Sequence, residues 1–579
     1  MGRTASPAQA EASPRKSVKH NEPPATEGHR DTVEAIVVAF ILALVVRGFE
    51  AQAFVIPTGS MAPTLMGRHK EVTCEQCGFV FTVNASHEVE GTNPAPVYSG
   101  LCTNCRYQAN KLTDEPSFKG DRILVMMFPY DLPFLPGASP PERFDVVVFR
   151  YPEEPEVSYI KRLIGLPGET IRVKHGDIYV KPKDGQDFRL ERKPLKHQLA
   201  MQMIVHDDRH RPKAMAGDDR WLRWRSQSPD GWKMPNPNRS LYQCQAESGE
   251  NWVELDYQNL VPDPEQWSDV LDGIPLRHPP RSSLITDFYS YNTNMTQAYS
   301  DLLGEPAMAH YAWMQPHWVG DLTLEANLEV TSKTGEVRFE LIKGGVAQRC
   351  SINVASGIAR FTRGDETLRE HATPIKGPGR YQIVFANVDD RITLLVDGQP
   401  MGGDGVEYDR GETPLVPTQD DLMPVRIAAR GASVSVSDLV LKRDIYYTQT
   451  PGEIDYGAVF GRDNPRSPTE LLNYLADPSH FSNFSEIDVH EYKLGDDRYM
   501  MLGDNSPQSK DSRGWDNADK DWDEASHRQT WEVPRKLLTG KAFYVYWPHG
   551  VPFWPELLRI GNDTRLPFRP YVERMRWIR

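Results

Sequence analysis

The clearest hydrophobic feature of the chain is one uninterrupted apolar run near its N-terminus. Residues Ala35–Val46 read AIVVAFILALVV, and the wider stretch Val33–Phe49 includes only Glu34 and Arg47 as charged residues. A helix needs about 20 residues to cross a bilayer, and charges near its ends can reach the interface. The pattern therefore predicts a single transmembrane anchor over residues 32–50.

The residues before this run suggest its orientation. Residues 1–31 are rich in Pro, Ala, Ser and basic side chains without an apolar period, which is typical of a disordered tail. Basic residues favour the cytoplasmic side, so the rest of the chain is expected outside the cytoplasm. A cleavable signal peptide is the alternative, because Ala51-Gln52-Ala53 forms an A-x-A pattern just after the run. On either reading the bulk of the chain is exported.

Further along, the pattern favours strands and a mainly β fold. Residues Leu322–Val330 alternate apolar and polar positions, which is typical of a half-buried strand. Asp389-Asp390 and Asp397-Gly398 supply turns between later strands. The further predicted strands are Val337–Ile342, Ile352–Phe361, Tyr381–Phe385, Ile392–Val396, Val425–Ala429 and Val434–Leu441.

Composition narrows the class of protein. The 579 residues suggest three or four domains, with 39% hydrophobic and 25% charged residues. The 80 acidic residues exceed the 66 basic ones, giving a net charge of -14. These values argue against a nucleic-acid binder, a disordered chain and a polytopic membrane protein.

Three separated segments carry candidate chemistry. Phe54–Thr64 (FVIPTGSMAPT) presents Ser60 in a turn, where a lone Ser is more often a hydrogen-bonding turn residue than a nucleophile. Ser158–Glu169 (SYIKRLIGLPGE) puts Lys161 inside an apolar strand, where an amine must be neutral or paired. Met501–Trp515 (MLGDNSPQSKDSRGW) is a polar loop after a strand.

Together these segments resemble the bacterial type I signal peptidases, which are membrane-anchored Ser/Lys endopeptidases with a β-rich catalytic core. The anchor, the Ser60 segment, Gly120–Val125 (GDRILV), the Lys161 segment and Gly503–Arg513 occur in the family's order. Two later stretches, Val533–Arg535 and Gly540–Pro548, are similar to the family's closing segment. The resemblance covers roughly half of the chain.

The resemblance implies a role for each matched residue. Ser60 matches the nucleophile, Lys161 the general base and Ser509 the residue that orients the lysine. Asp511 and Arg513 match a supporting ion pair, which could otherwise be a surface pair of little energetic value. By position, the Thr58 hydroxyl and the Ser60 backbone N–H would hold the oxyanion. No cofactor is implied for catalysis.

The chemistry requires a dry environment for the lysine. An amine with a pKa of about 10.4 is almost wholly protonated at neutral pH, so burial must lower that pKa before it can act as a base. An A-x-A cleavage site also needs shallow apolar pockets beside an extended backbone. Residues flanking the dyad are candidates for those pockets or for plain core: Phe54, Val55, Ile56, Met61, Tyr159 and Ile160.

Four of the six cysteines form two C-x-x-C pairs inside residues 70–115. They are Cys74, Cys77, Cys102 and Cys105. The spacing looks like a zinc ribbon, whose four thiolates close a structural tetrahedral site. Two disulfides are the alternative in an exported segment.

A large insertion separates the lysine segment from the last catalytic segment. Residues 183–274 have no sustained period and no assigned fold or function. Residues 275–441 look like a laminin-G or concanavalin-type jelly-roll sandwich, which would bind a glycan or protein or act as a scaffold. We expect deletion of this sandwich to leave cleavage of a short peptide measurable, since the catalytic residues lie outside it.

The resulting organisation is a tail (1–31), an anchor (32–50), a catalytic core in two parts (51–182 and 442–579) and the insertions between them. The expected function is removal of signal peptides from exported preproteins after A-x-A sites, at the bacterial inner membrane, with the single-pass catalytic domain outside the cytoplasm. The expected partners are signal peptides and the lipid bilayer. The rival function is a membrane-tethered glycan- or protein-binding protein with an inert peptidase scaffold.

Overall fold

A computed structural model describes most of the chain. The described residues are 30–41, 51–89, 94–127, 130, 139–229, 231–237, 239–246, 251–296, 312–411, 415–452, 465–484, 489–515, 529–548, 550–552, 559–560, 564–565 and 568–579. The chain divides into two units, Met1–Gln52 and Ala53–Arg579.

In the first unit, residues 30–41 form a helix whose apolar side chains are exposed. Within the described residues, no helix combines the length and the apolar character that a membrane span requires. The predicted anchor over 32–50 continues past residue 41 and so lies partly outside the described residues. Most of the predicted tail, 1–29, lies outside them as well.

The prediction of a mainly β protein is confirmed. We call the sheet that includes Lys161 the catalytic sheet, after the sequence expectation. Its strands follow one another in the order Ala51–Val55, Arg122–Met126, Leu538–Trp547, Val146–Arg150, Ser158–Gly165, Arg498–Leu502 and Val533–Pro534, with Arg576–Trp577 beside Leu538–Trp547. From Arg122–Met126 onward, neighbouring strands pair antiparallel. A small four-stranded sheet has the order Arg189–Leu190, Asp177–Lys181, Thr170–Lys174 and Glu491–Lys493. The catalytic sheet therefore combines strands from both ends of the sequence.

The insertion contains two large antiparallel sheets that share one hydrophobic core. The first has the strand order Gln202–Asp207, Ser433–Asp444, Leu322–Val330, Gly379–Val388, Arg391–Val396 and Gln399–Pro400, with Leu241–Gln245 and Val406–Glu407 at the side. The second has the order Trp224–Arg225, Val253–Tyr257, Val425–Arg430, Glu336–Lys343, Val346–Asn353, Ile358–Arg363 and Glu366–Ala372. Phe339 and Phe385 meet between these sheets with ring centroids 6.2 Å apart.

Two features of the insertion differ from the sequence expectation. Strands within 202–257 join both sheets, so the sandwich begins before residue 275. The predicted strand Ile352–Phe361 is two strands, because Gly357 turns the chain with a φ of 75°. The turns at Asp389-Asp390 and Asp397-Gly398 are present, and all four residues have positive φ angles.

Among the described residues, helices are few and short. Pro264–Asp272 begins with an Asp263 and Gln266 capping box and ends at Gly273 in the left-handed conformation. The described residues of the second unit also include the α-helices Leu195–Ala200 and Pro468–Leu475. Short 3-10 turns occur at Gly59–Met61, Ser86–Glu88, Lys213–Met215, Asp219–Trp221, Ser290–Asn292, Gln419–Leu422, Pro478–Phe481, Ser506–Gln508, Arg535–Leu537 and Val572–Arg574.

Small two-stranded sheets complete the described structure. The hairpin His69–Thr73 and Val80–Asn84 carries Cys74 and Cys77 in its connection. The other pairs are Val97–Ser99 with Met295–Thr296, Gly550–Pro552 with Phe568–Pro570, and Arg559–Ile560 with Thr564–Arg565. We call residues 70–115 the cysteine module.

Buried ion pairs connect the sandwich to the chain that follows the small sheet. The Lys193 Nζ lies 2.7 Å from an Asp389 carboxylate oxygen and 2.8 Å from one of Asp444. Nearby, Lys343 lies 2.5 Å from Asp321. All five side chains are at most 6% exposed. Removing one cation would leave buried carboxylates without their partner, which is strongly destabilising.

Lys193→Met should therefore lower the free energy of unfolding by about 3–5 kcal/mol. The matched control is Lys183→Met, since Lys183 and its partner Asp496 are 60% and 80% exposed. The control should leave the free energy of unfolding nearly unchanged, because an exposed ion pair contributes little. Urea unfolding followed by tryptophan fluorescence measures both free energies. Equal losses in the two variants would show that the buried pairs stabilise the fold no more than an exposed pair does.

Candidate active site

Lys161 is positioned by a central strand of the catalytic sheet. The strand Ser158–Gly165 pairs on one side with Val146–Arg150, where Lys161 is opposite Val147, and on the other side with Arg498–Leu502. Apolar residues dominate the neighbouring strands, and Lys161 is only 4% exposed. The sequence thus holds an amine in an apolar environment, as its strand pattern predicted.

Ser60 lies in the 3-10 turn Gly59–Met61, which ends an extended approach through Thr58. The loop is held by backbone bonds: the Ile56 N–H donates to the Asp121 carbonyl at 2.9 Å, and the Met66 N–H donates to the Asp121 carboxylate at 2.8 Å. A side chain at Gly120 would overlap the Ile56 carbonyl, so this close approach requires glycine. Asp121 therefore fixes both ends of the serine loop.

The structure brings Ser60 and Lys161 together. The Lys161 Nζ donates to the Ser60 Oγ at 2.7 Å and to the Ile160 carbonyl at 3.1 Å. Burial lowers the pKa of Lys161 from 10.5 to about 8, against the opposing charges of Asp511 and Asp504. At neutral pH roughly a tenth of the amine would then be unprotonated and able to accept the serine proton.

The last catalytic segment lies directly beside the serine. Glycine at position 503 allows this close approach, since any side chain there would overlap the Ser60 carbonyl and Ser509. Ser509 is 1% exposed, and its Oγ has no hydrogen-bond partner among the described residues. The expected hydrogen bond from Ser509 to the lysine amine is thus not formed in this conformation.

Asp511 and Arg513 form a fully buried ion pair. An Arg513 Nη lies 2.6 Å from an Asp511 oxygen, and both side chains are 0% exposed. The same carboxylate accepts from the Gly503 N–H at 2.9 Å, while Arg513 donates to the Thr448 carbonyl at 2.6 Å. The surface-pair alternative is wrong for these residues, and the pair instead braces the loop beside the serine.

Sequence reasoning missed a second buried pair. Arg162 donates two hydrogen bonds to Asp504, at 2.6 and 2.7 Å, and both side chains are 0% exposed. Arg162 also donates to the Thr64 hydroxyl at 3.2 Å and to the Phe144 carbonyl at 2.7 Å. The sequence did contain a signal for this pair, because Arg162 directly follows Lys161 in an apolar strand. A guanidinium buried there needs an anion as its partner.

The remaining candidate residues differ in exposure. Thr58 is exposed and Ser60 half-buried. Phe54, Tyr159 and Ile160 are half-buried beside the dyad, which leaves part of each side chain free for a substrate.

Ile56 and Met61 are 3% and 0% exposed and lie in the core beneath the sheet. The expectation that they contact substrate therefore fails in this conformation, because their side chains pack inward against Ile123 and Val146.

The four cysteines of the cysteine module converge on one point. Their sulfur atoms all lie within 4.8 Å of one another, and the Cys74–Cys105 and Cys77–Cys102 pairs are both 3.6 Å apart. A disulfide has an S–S length of about 2.05 Å, whereas a tetrahedral zinc with 2.3 Å bonds separates its sulfurs by about 3.8 Å. The donor set and its spacing fit a zinc ion.

Comparison with known proteins supports the resemblance found in the sequence. The family described as signal peptidase, peptidase S26, matches residues 106–219, which include Lys161. Signal peptidase I of Pseudomonas aeruginosa is 50% identical over 68 residues, covering 10% of this chain and 24% of that protein. Signal peptidase I of Rickettsia typhi is 32% identical over 142 residues, covering 24% of this chain and 39% of that protein.

A solved structure, the carbohydrate-binding module CBM66 of Bacillus subtilis, matches with 9% identity and a TM-score of 0.22, covering 38% of this chain and 96% of that one. The chain spans from about a quarter to two-fifths of the two signal peptidases compared above. Over that part, this chain is similar to the type I signal peptidases.

Proposed function

We propose that this chain is a serine endopeptidase that removes signal peptides from exported preproteins. The observation that carries the proposal is the 2.7 Å separation of the Lys161 Nζ and the Ser60 Oγ in a buried site. The lowered pKa of Lys161 and the similarity to signal peptidases both support it. The same geometry argues against an inert peptidase scaffold.

In the proposed reaction the neutral Lys161 amine accepts the Ser60 hydroxyl proton while the Oγ attacks the scissile carbonyl. The resulting ammonium then donates this proton to the leaving amine, and an acyl group remains on Ser60. Lys161, neutral again, takes a proton from a water that attacks the ester, and it returns this proton to the Ser60 Oγ as the acid product leaves. The exposed Thr58 hydroxyl and the Ser60 N–H would hold the oxyanion, a contribution of about 3 kcal/mol for each donor.

Substrate binding would use an extended peptide beside the dyad. The half-buried side chains of Phe54, Tyr159 and Ile160 are candidates for the shallow apolar pockets that accept the small residues of an A-x-A site. Ser509 would support the lysine, and the Asp511–Arg513 pair would brace the loop beside the serine.

The proposed location is the bacterial inner membrane, with the catalytic residues outside the cytoplasm. The apolar run Val33–Phe49 supports a single anchor, and six apolar side chains in 30–41 are 48–64% exposed. We also propose that the four cysteines of the cysteine module bind a structural zinc ion, with no role in the reaction.

Ser60→Ala and Lys161→Met should each lower the rate of cleavage of an A-x-A peptide by about a thousandfold or more, because the pair acts as a unit. Lys196→Met is the matched control, since Lys196 is an exposed lysine of the helix Leu195–Ala200. The control should keep full activity. A folded Ser60 or Lys161 variant with a near-normal rate would disprove the dyad.

The rate should follow the protonation state of Lys161. Below a pKa of about 8 the amine is charged and cannot accept a proton, so kcat/KM should rise about tenfold per pH unit and then level off above about pH 8. The pH–rate profile of peptide cleavage measures this. A bend near pH 10.5 would mean that burial does not shift the pKa of this lysine.

The chain should bind about one zinc ion, and Cys74→Ser should reduce its affinity for the metal. Cys244→Ala is the control, because Cys244 lies in the sandwich core and outside the cysteine module. Native mass spectrometry with metal analysis distinguishes the outcomes. A metal-free chain lighter by four hydrogens would mean two disulfides in place of the zinc site.

A further inference from the structure

One segment of the insertion lies directly under the serine loop. Residues 289–296 belong to the 275–441 range that the sequence suggested to be separable from catalysis. Their short strand Met295–Thr296 pairs with Val97–Ser99 of the cysteine module, and the Leu101 N–H donates to the Thr293 Oγ1 at 2.9 Å. The insertion is thus attached to the cysteine module at this point.

Tyr291 fills the space beneath the serine loop. Its side chain is 0% exposed, and its hydroxyl donates to the Arg68 carbonyl at 3.3 Å. Any side chain at Gly59 would overlap the Tyr291 ring. Because Gly59 has no positive φ angle, glycine is needed there to admit this ring, and the serine turn rests on a residue of the insertion.

Asn292 makes the more specific contact. Its Nδ2 donates to the Asn505 Oδ1 at 2.7 Å, and the Asn505 Nδ2 donates back to the Asn292 Oδ1 at 2.8 Å. Both amides are buried, with 6% and 1% of their residues exposed. Only another group that offers a donor and an acceptor side by side can make this reciprocal pair.

Asn505 links Asn292 to the turn that carries the nucleophile. Its Nδ2 also donates to the Gly59 carbonyl at 3.2 Å, and its backbone N–H donates to the Ser60 carbonyl at 3.1 Å. Asn292 therefore orients the side-chain amide that holds the Gly59 carbonyl, next to the Ser60 carbonyl held by the Asn505 backbone N–H. Loss of that orientation would let the serine turn move relative to Lys161, whose strand is held by its pairing with Val146–Arg150 and Arg498–Leu502.

We propose that Asn292 is a positioning residue for Ser60, so that the insertion completes the active site of the peptidase. The inference rests on the proposed function and goes beyond it, because it assigns part of the catalytic geometry to the insertion. It also replaces the expectation that peptide cleavage stays measurable after deletion of 275–441 because no part of the site lies there. Asn292 acts on catalysis through Asn505 and has no contact with the dyad side chains among the described hydrogen bonds.

The test is steady-state cleavage of a short A-x-A peptide by Asn292→Ala and Asn292→Leu. The leucine keeps most of the buried volume while removing both hydrogen bonds, so it separates packing from amide pairing. A displacement of about 1 Å at a reacting group can cost about a hundredfold in rate. We therefore expect kcat to fall about 10- to 100-fold for both variants, with KM within about threefold of the original value.

The matched control is Asn327→Ala, which removes an exposed amide of the same insertion that bonds to Asp438. It should leave kcat unchanged. Thermal unfolding of every variant shows whether it is folded. If Asn292→Leu is folded and retains full kcat, Asn292 does not position the serine.

A double-mutant cycle with Asn505→Ala tests whether Asn292 acts on the serine turn through Asn505. Because the two amides act in series, the double variant should be no slower than Asn505→Ala alone. Rate losses that multiply would show that the two residues act independently and would overturn the inference. If the unaltered chain cleaves no A-x-A peptide at all, the proposed function fails instead, and that outcome is recognised before any variant is compared.

Discussion

The geometry of the candidate site depends on one buried ion pair, Arg162 with Asp504. The two residues are 342 positions apart, Arg162 donates two hydrogen bonds to the Asp504 carboxylate, and neither side chain has exposed surface. Arg162 directly follows Lys161, and Asp504 lies between Gly503 and Asn505, which both contact the serine loop. The pair thereby joins the strand that carries the base to the segment that holds the nucleophile. Loss of either partner would leave an uncompensated buried charge.

Around this pair the charges are arranged so that the lysine can be neutral. Arg162 is matched by Asp504 and Arg513 by Asp511, so each buried cation near Lys161 has its own anion. Desolvation is then the largest influence on the pKa of Lys161. The change in that pKa from 10.5 to about 8 means that the site disfavours the charged amine by roughly 3 kcal/mol. A lone carboxylate beside the amine would instead stabilise the ammonium form and remove the base.

Local patterns in the sequence predicted local features well. The strand Leu322–Val330 has the predicted bounds, because every second side chain points into the sandwich core. Lys161 stood out because a charged amine is costly inside an apolar strand, whereas Ser60 was identified only through the resemblance of its segment to the signal peptidases. Strands such as Leu241–Gln245 were not predicted, since their alternation extends over only five residues and the flanking sequence has no sustained period.

Contacts between distant segments were beyond sequence reasoning. Nothing near Asn292 or Asp504 in the sequence indicates which residue each will meet, because these pairings arise only when the sheet brings separated segments together. The same holds for Ile56 and Met61, whose apolar character fits a substrate pocket and a core equally well. The exposed fraction of each side chain distinguishes a pocket residue from a core residue, and that fraction is defined only in the folded chain.

The central claim is that Ser60 carries the acyl group during catalysis, with Lys161 as its base. The most direct measurement is rapid mixing with an activated ester of an A-x-A peptide, followed by acid quenching, proteolysis and mass spectrometry. The account predicts an added acyl mass on the fragment that contains Ser60, and a much slower appearance of it in Lys161→Met. An acyl group found on another residue, or undiminished turnover with Ser60 never modified, would contradict it.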